Sequence, residues 1–423
     1  MWSQEPRIEI KRGISNDDFY SSVIVYPYFL KNGLKHKIKK IKLNLEKSQN
    51  EIVSNFRSNE EITESVLSSG SWFKFKIHKS GIYQISYENL IEKNIISGPI
   101  PSNQIAVFGN PSRMLDFTVG NSRPVDLSEI PSKIIEEDNS FFTSGSSILF
   151  YAEADGNEYY DSDDSILKKE VNLYSDTNFI YITTTALSRK TIPKQILTSP
   201  SDTIYDYVKL NHHEKEWVNF IKSGRQWFGE SFNQNPLIFK YPYNKPLVEE
   251  SGLKIEYRVC ARSNTTLNNK ISLILNNDTV SSGQMNKVSS VYYTDYVKFS
   301  NQKYETTSYD NSNEDSINIQ FFYHQTDNPK AWLDYFTLNT TERIITEQNE
   351  TTVHLSKNNT TSCINISSSI ESPLVWDVSN LNDVYEHELD KNDSGFSYNA
   401  LLDANRKFII CNEKKLKVKK FYG

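Results

Sequence analysis

The sequence predicts a mostly β, multidomain chain built of β-sandwich or jelly-roll-like domains with a few short helices. Three observations predict it. The chain has 423 residues, which is long for one core, so several domains are expected. Aromatic residues make up 13%, with 25 Tyr and 22 Phe against 15 Gly and 3 Met, a composition that fits pleated sheets better than helices. Many short segments alternate apolar and polar residues with the period of a half-buried strand.

Residues 1–65 open with an extended stretch at Val23-Ile24-Val25-Tyr26-Pro27-Tyr28. A strand is expected where Ile41, Leu43 and Leu45 alternate with Lys40, Lys42 and Asn44. The polar stretch 50–66 reads as a linker. In the next unit, 66–200, Phe73, Phe75 and Ile77 alternate with Lys74, Lys76 and His78. Ser80-Gly81 then supplies a turn, and Ile82, Tyr83, Ile85 and Tyr87 form a return strand, together a hairpin. A short helix is expected at Glu88–Asn94 and another at Leu127–Glu137, interrupted by Pro131. Strands are expected at Ile105–Phe108, ended by a Gly-Asn-Pro turn, at Ser147–Glu153 and at Asn178–Thr184. An acidic loop spans Asp155–Ser165.

Residues 201–345 read as a jelly-roll-like sandwich, with one helix at Glu214–Lys222 bounded by Ser223-Gly224. Leu253, Ile255, Tyr257 and Val259 alternate with Lys254, Glu256 and Arg258. Ile271, Leu273 and Leu275 form the next strand. Ile317, Ile319, Phe321 and Tyr323 follow, and Ala331–Leu338 reads as a closing strand. Residues 346–423 form a smaller β-unit containing Leu374–Ser379 and Phe408–Cys411.

Candidate chemistry is sparse. Net charge is −6, which argues against a general nucleic-acid binder. Cys260, Cys363 and Cys411 form no CxxC pair, so neither a zinc site nor a disulfide framework is indicated, and all three read as strand residues. His212-His213 beside Glu214 and Glu216 could serve as metal ligands, but the spacing is not that of His-Glu-x-x-His, and a solvated helix start is preferred. The loop Asp155–Ser165 has oxygens enough for calcium without EF-hand spacing, and an exposed hairpin loop is preferred. Glu230 and Asp334 could be imagined as the carboxylate pair of a glycosidase, but nothing in the sequence sets their separation. The basic runs Lys35–Lys42 and Lys414–Lys420 read as outer faces of strands. The longest apolar runs are too short to span a membrane. Met1–Arg7 lacks a signal-peptide core, which leaves a cytosolic chain or an exported one whose signal has been removed.

Several of these elements, in order, resemble one family. Gly70, Trp72, Gly81, Ile82, Tyr83, Ile85, Tyr87 and Leu90 match the opening hairpin of PorU-type sortases of the type IX secretion system, which are gingipain-like cysteine peptidases. The Ile-x-Val-Phe-Gly-Asn element at Ile105–Asn110, the Asp126-Leu127 pair, Leu149–Ala152 and Asn172–Asp176 follow as expected. So do Gly224-Arg225, Trp227–Glu230, Leu374–Ser379 and Phe408–Cys411. The resemblance spans about residues 66–423. It implies the N-terminal, non-catalytic portion of a cell-surface enzyme that removes C-terminal sorting domains from exported cargo and joins the cargo to lipopolysaccharide through a thioester. The Cys–His catalytic domain is expected beyond Gly423. No catalytic, cofactor-binding or metal residue is carried over to this chain, and no cofactor is implied. The implied partners are an outer-membrane β-barrel of the PorV type, cargo sorting domains and anionic lipopolysaccharide; the implied location is the cell surface. Two alternatives stand beside it: a free-standing cell-surface β-sandwich that binds carbohydrate or protein through residues 205–345, and a hydrolase using Glu230 and Asp334.

Overall fold

Alternation and short apolar runs do become strands. In the computed structural model, strands dominate throughout, joined among the described residues by one α-helix, Tyr87–Glu92, and two 3₁₀ turns, Val66–Ser68 and Ser102–Gln104. The structure describes residues 6–15, 18–43 and 64–413, leaving aside 117, 119–122, 137, 139, 155, 223, 225, 233–235, 243–251, 290, 292–294, 308, 310–315, 325–329, 347–349, 358, 372 and 404. The linker expected at 50–66 falls mostly, and the basic run 414–420 wholly, outside these residues. The chain divides into two units, 1–58 and 59–423.

The first unit holds two antiparallel hairpins, Arg7–Ser15 with Asp18–Tyr26 and Tyr28–Lys31 with Leu34–Lys37. Asn32-Gly33 turns the second, both residues at positive φ. The strand expected at 41–45 is not formed over its described part. Pairing ends where the Ile38 N–H donates to Pro27 O, and Ile41 and Leu43 lie exposed beyond it. With no partner strand beside them among the described residues, alternation alone does not make a ladder.

In the second unit, Trp72–Ile77 joins a four-stranded sheet with Asn178–Thr183, Ala106–Gly109 and Ser128–Ile130. Gly81–Ser86 joins a different, three-stranded sheet with Ser147–Ala152 and Ser132–Ile135. The expected hairpin is therefore a corner: its two strands do not pair, and the chain crosses between sheets at Ser80-Gly81. Gly81 sits at φ 147, a value that L side chains rarely adopt, and the Ser80 hydroxyl donates to Ala154 O at 2.8 Å. The physical reason is burial. Ile82, Tyr83 and Ile85 are all buried, so the return strand is covered on both faces, which a two-stranded ribbon cannot provide. The helix expected at Leu127–Glu137 is instead two short strands, Ser128–Ile130 and Ser132–Ile135. Pro131 has no N–H to donate and restricts Ile130 to extended geometry, and Ile130 is 1% exposed. The helix expected at 88–94 does form, over Tyr87–Glu92, starting one residue earlier and ending two earlier. Ser86 caps it in a capping box with Asn89.

A nine-stranded sheet organises the rest. Its spatial order is Lys194–Gln195, Tyr385–His387, Pro373–Asp377, Arg406–Asn412, Glu350–Leu355, Asp206–Glu214, Ala331–Arg343, Leu253–Ala261, Lys298–Thr306. Toward one end a four-stranded sheet, Leu237–Pro242, Ser316–Tyr323, Lys270–Leu275 and Asp278–Gln284, packs on it around Ile255, Tyr257, Val259, Phe321, Phe336 and Leu338, making the expected sandwich. Toward the other end, Val375, Phe408 and Ile410 face a five-stranded sheet, while their strand neighbours Leu374, Trp376, Ile409 and Cys411 join the core of Phe75, Ile82 and Phe150. Alternation along Pro373–Asp377 and Arg406–Asn412 thus serves two cores at once.

The helix expected at Glu214–Lys222 is also absent. Glu214 ends a strand, and Val218 then exchanges backbone hydrogen bonds with Phe228. This pairing seats Phe228 and Phe220 in an aromatic cluster with Trp332, whose ring centroid is 4.4 Å from that of Phe220.

Candidate functional site

The outer, polar face of the nine-stranded sheet carries a group of chemistry-bearing side chains that share a cavity. Strand alternation selects them. On Leu253–Ala261, Ile255, Tyr257 and Val259 point into the sandwich core, so Glu256 and Arg258 point out. On Asp206–Glu214, the residues paired with Tyr335 and Thr337 are Glu214 and His212. Between Arg258 and Val259 the register shifts, so that Asp334 is an extra residue: Leu333 and Phe336 both face the core, and Asp334 and Tyr335 both face outward. A bulge of this kind re-aims a side chain, and here it adds a carboxylate to the polar face.

The hairpin Asn157–Asp161 and Ile166–Glu170 covers part of this face. Its attachment is specific. Asn339 uses its side-chain amide as a substitute strand edge, accepting from Leu167 N–H at 2.7 Å and donating to Leu167 O at 2.9 Å. Lys168 lies 2.9 Å from Glu256 and 2.8 Å from Asp164, and Lys303 also pairs with Asp164. The acidic loop is thus a hairpin whose carboxylates Asp161 and Asp164 are engaged by lysines. Burial would lower the Lys168 pKa, but the surrounding carboxylates outweigh it and hold the ammonium above its ordinary value.

Between hairpin and sheet lies a cleft of about 310 Å³, walled by Trp227, Phe228, Phe299, Tyr159 and Tyr335. Its base is a set of paired polar groups. Arg258 Nε lies 3.2 Å from Asp334 and its guanidinium stacks 4.1 Å from the Phe299 ring centroid. The Tyr335 hydroxyl donates to Glu256 at 3.0 Å. His212 bridges Thr337 at 2.9 Å and Glu214 at 3.0 Å. Glu216 hydrogen-bonds Glu214. Burial first, then the Glu214 hydrogen bond and charge, raise the Glu216 pKa to about 8, so it holds a proton at neutral pH. Burial likewise raises Asp334 to about 7, opposed by Arg258.

The other sequence candidates fall elsewhere. His213 points to the opposite face, where it meets Glu230 at 2.9 Å and stacks against Phe336. Glu230 and Asp334 are therefore not a facing pair: Glu230 is engaged by His213 and only Asp334 lines the cleft. Cys260 and Cys411 are buried, and burial pushes both thiols far up, opposite to what a nucleophile needs. Cys363 is half-buried on Thr360–Ser368. Among the described residues no group of three or more His, Cys, Asp or Glu is placed to hold a metal ion, and no helix is long and apolar enough to cross a membrane. Sequence reading missed Glu256, Arg258 and Lys168. The sequence carried no clean signal for them, because Trp332 and Tyr335 keep Ala331–Leu338 apolar at nearly every position and hide the bulge that gathers the polar groups.

No protein-family model matches this sequence, and no curated protein matches it. Among solved structures, the fold is similar to the dimeric latent form of PorU from Porphyromonas gingivalis, with a TM-score of 0.70 at 18% identity, over 85% of this chain and 33% of that one. The chain thus spans about a third of the length of that protein. An insecticidal delta-endotoxin, Cry8Ea1 from Bacillus thuringiensis, aligns over 57% of this chain and 42% of its own, with a TM-score of 0.21 at 13% identity.

Proposed function

We propose that this chain is the non-catalytic, N-terminal scaffold and binding portion of a PorU-type cell-surface sortase. The observation that carries this reading is the likeness of fold to latent PorU over 85% of the chain. The order of the sequence elements from Gly70 to Cys411 is in keeping with it. On this reading the complete protein cleaves C-terminal sorting domains from exported cargo and attaches the cargo to lipopolysaccharide. The described part supplies positioning: a PorV-type barrel, cargo and anionic lipopolysaccharide are the partners it helps to hold at the cell surface. The chemistry of its cysteines agrees with a scaffold, since Cys260 and Cys411 are buried thiols with raised pKa values.

The test is the size and place of the native protein. Antibody raised against the 423-residue chain is used to blot fractions of the source cells, with and without protease treatment of intact cells. The expected result is a protease-accessible outer-membrane band well above the mass of this chain. A band at the chain's own mass, or a band confined to the cytosol, overturns the proposal.

A further inference from the structure

We infer that the cleft between the Asn157–Glu170 hairpin and the nine-stranded sheet is a binding site for a neutral saccharide. This goes beyond the sortase reading and stands without it. Three observations on the cleft carry the inference. Its walls carry aromatic residues: Trp227, Phe228, Phe299, Tyr159 and Tyr335 line a space of about 310 Å³, the low end of the range for small-ligand pockets. A pyranose ring has a face of C–H groups that packs on such surfaces and a rim of hydroxyls that must be satisfied.

Its base meets that second need. The polar groups there are planar and already held by neighbours: Arg258 against Asp334 and Phe299, Glu214 against His212 and Glu216. Adjacent sugar hydroxyls each donate and accept, and a base that mixes fixed guanidinium donors with fixed carboxylate acceptors answers both without reorganising. The third observation is charge. Lys168 is matched by Glu256 and Arg258 by Asp334, and burial and the neighbouring Glu214 favour the neutral form of Glu216. An anionic ligand would meet Glu214 and compete with the carboxylates that already hold Lys168 and Arg258, and a cationic one would compete with the same ion pairs. A neutral, hydroxylated ring has neither penalty.

The experiment is ligand-detected NMR and intrinsic tryptophan fluorescence on the full 423-residue chain at pH 7. The probes are neutral gluco-, galacto-, manno- and N-acetylhexosamine oligosaccharides, oligogalacturonate as the anionic probe and spermidine as the cationic one. At least one neutral oligosaccharide should bind with a fluorescence change. Trp227→Ala should weaken it about tenfold, and Glu214→Gln, which keeps the shape of the side chain, should weaken it as well. Trp217→Ala, an exposed tryptophan outside the cleft lining, should leave it unchanged. Circular dichroism and melting identify any variant that fails to fold, in which case the isosteric Glu214→Gln decides. The inference is overturned if no neutral oligosaccharide binds, if only oligogalacturonate or spermidine binds, or if binding survives both cleft substitutions.

Discussion

Removing one ammonium group should reveal how firmly the hairpin is held. Lys407, on Arg406–Asn412, places its Nζ 2.6 Å from Glu158 on Asn157–Asp161, and His354 lies 3.3 Å from the same carboxylate oxygen. The lysine side chain is only 14% exposed. Burial alone would push its pKa down, but Tyr151 and Glu158 outweigh that and hold the charge. Burial would equally push Glu158 up, and the His354 hydrogen bond and the Lys407 charge instead hold it far below the usual carboxylate range. Lys407→Met keeps much of the aliphatic stem and leaves Glu158 charged, partly buried and short of a cation. Breaking a buried pair from one side costs about 3–5 kcal/mol. Because Glu158 is 27% exposed and keeps His354, a loss near the lower figure, about 3 kcal/mol, is expected. That is a large share of a typical total stability of about 5–15 kcal/mol. Urea unfolding followed by tryptophan fluorescence measures it. The double variant Lys407→Met/Glu158→Gln should recover at least about 1 kcal/mol, because no orphaned charge remains. The wild type should also lose stability as pH falls below the ordinary glutamate range, since a depressed carboxylate stabilises only above its unfolded pKa; Lys407→Met should flatten that acid limb. A single variant within 1 kcal/mol of wild type, or a double variant no better than the single, would refute the reasoning.

Two further outcomes follow from local geometry. Glu216 titrates in the opposite sense to Glu158: its raised pKa means that the folded state holds an extra proton between about pH 4.5 and 8, so stability should fall across that window and level off above it. Glu216→Gln should flatten this slope and be the more stable protein at pH 8, by roughly 1–2 kcal/mol after allowance for the cleft's openness to water; thermal melts at pH 5, 6.5 and 8 check it, and an unchanged slope counts against the shared proton. Gly156 enters the hairpin at φ 99, and an added Cβ would lie 2.1 Å from Glu170 O. Gly156→Ala should cost about 1–3 kcal/mol and speed amide exchange across 157–170, whereas unchanged protection there would show that the hairpin tolerates the shift.

What the sequence disclosed follows from what is local. Phe73–Ile77, Leu253–Val259 and Ile317–Tyr323 form strands because period-2 alternation needs only one buried face to act on. Partner choice is not local, and this is why Ser80-Gly81 read as a hairpin turn although its strands belong to separate sheets. Pairing decided the two misplaced helices as well. Val218 is claimed by Phe228, a nearby partner that a helical pattern does not disclose, while Ile130, held extended by Pro131, pairs with Val107, which lies further away along the chain. The cleft was hidden for a related reason. Glu256 and Arg258 looked like ordinary solvent-facing positions, and only the bulge at Asp334 and the docked hairpin convert that face into a cavity.

The two-sided strands Pro373–Asp377 and Arg406–Asn412 also set a timetable. The apolar surface of Phe75, Ile82 and Phe150 emerges early in synthesis, while Trp376 and Ile409, which close that core, emerge only near residues 376 and 409. At a synthesis rate of about 5–20 residues per second, the early strands wait on the order of tens of seconds for their cover. During that interval their edges and apolar faces are open to the wrong partners, and pairings this distant are slow to close even once all strands are present. A cell that makes this protein therefore has to shield a half-built sheet, and a holdase or a delay in folding until the last strands arrive would do so.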